Sequence, residues 1–119
     1  MNIYEYLESI SNIEINNSFI KAIEKEYKCD LPIIIKQILS SAEEPIFIEF
    51  EMRIMSQYEI MYASKLMDYD FISNKLIPII DCYDNDYVVF DYGKNEWVMF
   101  NNTDECIFKR GKKIVDVIY

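Results

Sequence analysis

LIPIIDCYDNDYVVFD, Leu76 to Asp91, is two apolar runs joined by a polar turn. Leu76 to Asp81 and Tyr87 to Tyr92 have strand length and strand composition, and Asp84-Asn85-Asp86 between them is turn chemistry. Pro78 places the first run at a sheet edge or a bulge, because proline cannot donate to a ladder. In the second run, Val88, Phe90 and Tyr92 share a side. Gly93-Lys94-Asn95 reverses the chain again, and Glu96 to Phe100 returns as a hairpin partner. Glu105 to Lys109, a turn at Arg110-Gly111 and Ile114 to Tyr119 read as a last hairpin. The second half is therefore expected to be an antiparallel sheet.

Upstream the period changes. Tyr4, Leu7 and Ile10 sit three apart, which suits a short N-terminal extension helix within residues 1–15. Asn16, Asn17 and Ser18 offer an N-cap, and Phe19, Ile20, Ile23 and Tyr27 follow at helical spacing. Asp30-Leu31-Pro32 is a second helix start with Pro32 in the first turn, and Ile34, Ile35, Ile38 and Leu39 form the buried stripe. Glu43-Glu44-Pro45 ends it. From Ile46 to Met52 the spacing falls to two. Ile46, Ile48, Phe50 and Met52 are expected to face inward, while Phe47, Glu49 and Glu51 face water. Ser56-Gln57-Tyr58-Glu59 has the form of a capping box, and Ile60, Ala63 and Met67 continue its helix. The expected architecture is a single α+β domain over residues 1–119, with helices packed on a mainly antiparallel sheet.

The bulk numbers narrow the function. With 51% apolar and 15% aromatic residues the chain can bury a core unaided by metal or disulfide. Its 21 acids against 12 bases give a formal charge of −9, which disfavours direct nucleic-acid binding and favours a basic partner. Cys29, Cys82 and Cys106 have no CxxC spacing, and histidine is absent, so a zinc site is not expected and the cysteines read as reduced. The start MNIYEYLESI lacks the basic, then apolar, pattern of a signal peptide, and no window of 18 uncharged apolar residues occurs. A cytoplasmic protein is expected, without a membrane partner or a cofactor.

Asp81, Asp84, Asp86 and Asp91 fall within eleven residues. They lack the spacing, glycine and final glutamate of an EF-hand loop, and nothing selects a carboxylate pair for glycoside hydrolysis. Turn carboxylates remain exposed, which leaves room for recognition. Cys29, beside Lys28 and ahead of a helix start, comes nearest to an activated thiol but lacks an orienting group. Lys109-Arg110-Gly111-Lys112-Lys113 is either a solvated turn or a small anion patch.

The order of CDLP (Cys29 to Pro32), IFIEFE (Ile46 to Glu51), the serine-capped SQYEIMYA (Ser56 to Ala63), LIPIIDCYDNDYVVFD and EWVMF resembles the SUKH superfamily from about Phe19 to the C-terminus. Two features depart from the family pattern. SSAEEP, Ser40 to Pro45, replaces an Asn-Gly after the second helix, and Asp84-Asn85-Asp86 stands where the turn often carries glycine. The resemblance implies no catalytic centre. It implies an immunity protein that binds and neutralises a toxin domain, often a nuclease, in bacterial polymorphic or contact-dependent toxin systems. An intracellular scaffold or regulator, nearer to the fungal cell-wall synthesis regulators, is the alternative. The expected partner contacts are Glu43, Glu44, Glu49, Glu51, Asp81, Asp84, Asp86 and Asp91, with Tyr83 and Tyr92 as aromatic anchors. Both a monomer and a homodimer are compatible with this reading.

Overall fold

Four runs of equal length build the centre of the molecule. The computed structural model describes residues 1–119, and in it β3 (Leu76–Asp81), β4 (Asp86–Asp91), β5 (Glu96–Asn101) and β6 (Cys106–Gly111) are six residues each. Matched lengths and short turns make an antiparallel meander, extended beyond β3 by the two-residue strands β1 (Ile46–Phe47) and β2 (Arg53–Ile54). The sheet order is β1-β2-β3-β4-β5-β6, with every neighbouring pair antiparallel. Val88, Val89, Phe90 and Asp91 are all buried, so β4 is covered on both faces. Phe90 opposes Trp97, with ring centroids 5.2 Å apart in an edge-on pair. Pro78 sits where the β3–β4 register shifts, and of β3 only Ile80 and Asp81 are in register with β2. A residue without an N–H fits such a bulge, as expected from the sequence.

The helices are α1 (Ile3–Ser9), α2 (Asn17–Tyr27), α3 (Ile33–Ser41), α4 (Gln57–Met61), α5 (Ala63–Leu66) and α6 (Ile114–Ile118). Asn2 and Ser56 each close a capping box, with Glu5 and Glu59, and Asn16 caps α2 through its Oδ1. Pro32 is itself the N-cap of α3 and not a residue of its first turn, so the helix begins at Ile33, later than the sequence suggests. Ile3, Tyr6 and Ile10 are buried, so α1 is an integral layer of the domain. The Tyr27 hydroxyl donates to the Ile60 carbonyl at 2.6 Å, and the Tyr92 hydroxyl sits at 2.9 Å from the Tyr27 carbonyl and 3.1 Å from that of Ile72. The two tyrosines fasten the helices to the sheet. Thirty buried apolar residues form one cluster, which makes this a single α+β domain.

Two segments differ from the sequence reading. Ile46–Met52 is no continuous strand. The chain reverses at Phe50 and Glu51, whose φ values of 60° and 61° are those of a tight turn. Phe50, expected inside, is 69% exposed, whereas Ile48 and Met52 are buried. Ile114–Tyr119, expected as a strand, contains helix α6. Its β-branched run also satisfies the helical spacing: Ile114 and Val117 are buried, and the Asp116 carboxylate accepts from the Lys113 N–H at 3.0 Å. Gly111 admits this helix, because a Cβ there would lie 2.4 Å from that of Asp116. The last strand is therefore β6, which pairs with β5 and has no strand partner beyond it.

Candidate partner-binding surface

In a meander of this order the β1–β2, β3–β4 and β5–β6 turns fall at one end of the sheet. Each is acidic. The first is Glu49-Phe50-Glu51, and the second runs through Tyr83, Asp84 and Asn85 between Asp81 and Asp86. The third is Asn102-Thr103-Asp104-Glu105. The only cation in β1, β2 or these turns is Arg53, and it is spent internally. Its guanidinium grips Glu59 at 2.6 and 2.7 Å and reaches Asp81 at 3.1 Å. That bidentate bond holds the Glu59 carboxyl below its ordinary value of 4.5.

The second and third turns are locked to one another. Asn85 donates from Nδ2 to Thr103 Oγ1 at 3.0 Å, and its carbonyl accepts from the Asn102 N–H at 2.8 Å. Asn101 Nδ2 donates to Asp86 Oδ1 at 2.8 Å, and Asn101 Oδ1 accepts from the Thr103 and Asp104 amides. The second turn is strained as well as fixed. Tyr83, Asp84 and Asn85 have φ values of 72°, 58° and 66°, a left-handed run in which the tyrosine has the poorest excuse. At the first turn Tyr119 donates its hydroxyl to Glu49 and packs edge-on to Phe50, at 6.3 Å between centroids. That bond to Glu49 pushes the Tyr119 phenol up to about 12.

The residues expected to contact a partner divide. Glu51, Asp84 and Tyr83 are exposed at this end, with Tyr83 at 63%. Glu49, Asp81 and Asp86 belong to the same end but are half-buried and hydrogen-bonded within it. Glu43 and Glu44 are exposed on the connection between α3 and β1. Asp91 and Tyr92 lie at the opposite end. Asp91 is 6% exposed and its carboxylate serves Arg110 and two turn amides, while the Tyr92 hydroxyl is an internal staple. Neither presents a free contact. Sequence reasoning passed over Phe50, Asp104 and Glu105. An aromatic between two glutamates, EFE, and a second acidic turn, NNTDE, were the available signals. It also passed over Tyr58, Tyr62 and Leu66, an exposed stripe at spacing four along α4 and α5.

No three carboxylates or thiols converge at the spacing of a metal site. Burial and the Glu24 and Asp30 carboxylates push the Cys29 thiol up to about 11, away from the thiolate a nucleophile requires. No helix is long and apolar enough to cross a membrane. Comparison with models of known protein families, with curated proteins and with solved structures finds no match.

Proposed function

We propose that this chain is an immunity-type protein of the SUKH kind that neutralises a basic toxin domain by pressing its acidic hairpin end into the toxin's cleft. One observation carries the reading. Seven carboxylates, Glu49, Glu51, Asp81, Asp84, Asp86, Asp104 and Glu105, share an end whose lone arginine is already paired. A cleft that binds nucleic-acid phosphate would meet there a ready array of anions, and long-range attraction would speed the encounter. Phe50 and Tyr83 supply the exposed aromatic surface around which interface energy concentrates. No bond need be made or broken. The motif order of the sequence supports the family, and three unpaired thiols suit a reducing cytoplasm. The test is to co-express the protein with the toxin encoded beside its gene. The wild type restores growth and the charge-reversed variant Glu51→Lys/Asp84→Lys/Asp104→Lys does not.

The Tyr58, Tyr62 and Leu66 stripe favours a second reading, an intracellular scaffold with an apolar partner. Binding lost on Tyr62→Ser and kept by the charge-reversed variant would select it.

A further inference from the structure

Positive charge gathers at the other end of the sheet. Lys75, Lys94 and Arg110 line a cavity of about 410 Å³ together with Asp91, Tyr69 and Leu76. The one carboxylate there is already engaged on both oxygens. Asp91 Oδ2 accepts from Arg110 Nη1 at 3.0 Å, and Oδ1 accepts from the N–H groups of Gly93 and Lys94 at 3.0 and 3.1 Å. Asp91 therefore orients Arg110, which spends one N–H donor of its five on that bond. The Lys75 and Lys94 ammonium groups, like those of the other lysines, enter no ion pair. The lining carries an excess of two positive charges.

The backbone is shaped to this arrangement. Lys75 is held left-handed, at φ 58°, by its N–H on the Ile72 carbonyl and by its own carbonyl, which accepts from the Tyr92 N–H. Gly93 leaves room for the lysine stem, since a Cβ there would lie 3.1 Å from Lys75 Cδ. An aimed guanidinium, two free ammonium groups and an apolar wall in one concavity are the makings of a site for an anion with an organic body.

We propose that this cavity binds a small organic phosphate. Arg110, Lys75 and Lys94 hold the phosphate group, and Leu76 and Tyr69 take the organic part. A phosphate monoester near pH 7 carries a charge of about −1.5 to −2, which matches the excess, and its oxygens accept from several directions at once. The site lies opposite the acidic turns and does not depend on what they bind.

The experiment is a ¹H–¹⁵N titration at constant ionic strength with inorganic phosphate and with adenosine 5′-monophosphate. The expected result is saturable shifts centred on the Gly93 and Lys94 amides, with the nucleotide tighter than inorganic phosphate. Lys75→Ala/Lys94→Ala should weaken both by about tenfold or more. That variant leaves the Arg110–Asp91 pair in place, and its own spectrum reports whether it is folded. Shifts that fail to saturate, affinity unchanged in the folded double variant, or displacement of the nucleotide by a single-stranded DNA oligomer at equal phosphate concentration would each overturn the proposal.

Discussion

Tyr83 concentrates the tension between the fold and the proposed function. A bulky residue in the left-handed region costs about 1 kcal/mol or more, and its side chain is 63% exposed, so little packing offsets that cost. Tyr83→Asn suits the same backbone. The substitution should leave chemical-denaturation stability unchanged or raised by up to about 1 kcal/mol. It should nevertheless weaken partner binding by about 2 kcal/mol, the loss of an aromatic anchor. Arg53 behaves oppositely, because its bonds to Glu59 and Asp81 are structural. Arg53→Met should cost about 1–3 kcal/mol at pH 7. Glu59 titrates lower in the folded chain than in the unfolded one. Its stabilisation is therefore complete above the unfolded value of about 4.5 and fades as pH falls through the folded value. Urea midpoints followed downward from pH 6 should show the wild type and the Arg53 variant converging in acid.

At the scale of elements, the sequence was most legible where two signals agreed. The β3–β4–β5 meander has both apolar runs of strand length and turn chemistry between the runs, and the capping box at Ser56 pairs a serine with a glutamate three residues on. It was least legible where one pattern fits two structures. IVDVI is β-branched like a strand yet places Ile114 and Val117 one helical turn apart, and the space above Gly111 that admits the helix does not show in the pattern. The reversal at Phe50-Glu51 lacks the Asn or Gly that usually marks such a turn, so alternation seemed to run straight through it. The buried role of Asp91 was illegible for a related reason: its partner Arg110 lies 19 residues away on β6. Gly111→Ala tests the α6 packing directly. Its Cβ would collide with that of Asp116, and the variant should lose about 1–3 kcal/mol in thermal or urea unfolding. A chain in which residues 114–119 formed a strand would show no such clash.

Across the whole molecule, meander topology sorts charge. Alternate turns share an end, so acidic turn sequences separated by roughly twenty residues or more become one surface, while Lys75, Lys94 and Arg110 gather at the other. That sorting was invisible in the net charge of −9, which reports an amount and no direction. It gives the proposed interaction a kinetic signature. The measurement that bears most directly on it is the association rate of the protein with the basic toxin domain proposed as its partner, followed from about 50 to 500 mM salt. For the wild type the rate should fall steeply with salt, because attraction between the acidic end and a basic cleft is screened over about 10 Å at 0.1 M. Glu51→Lys/Asp84→Lys/Asp104→Lys should associate at least about tenfold more slowly at low salt, with a much shallower dependence. Equal rates and equal salt slopes for the two folded proteins would contradict binding through this end.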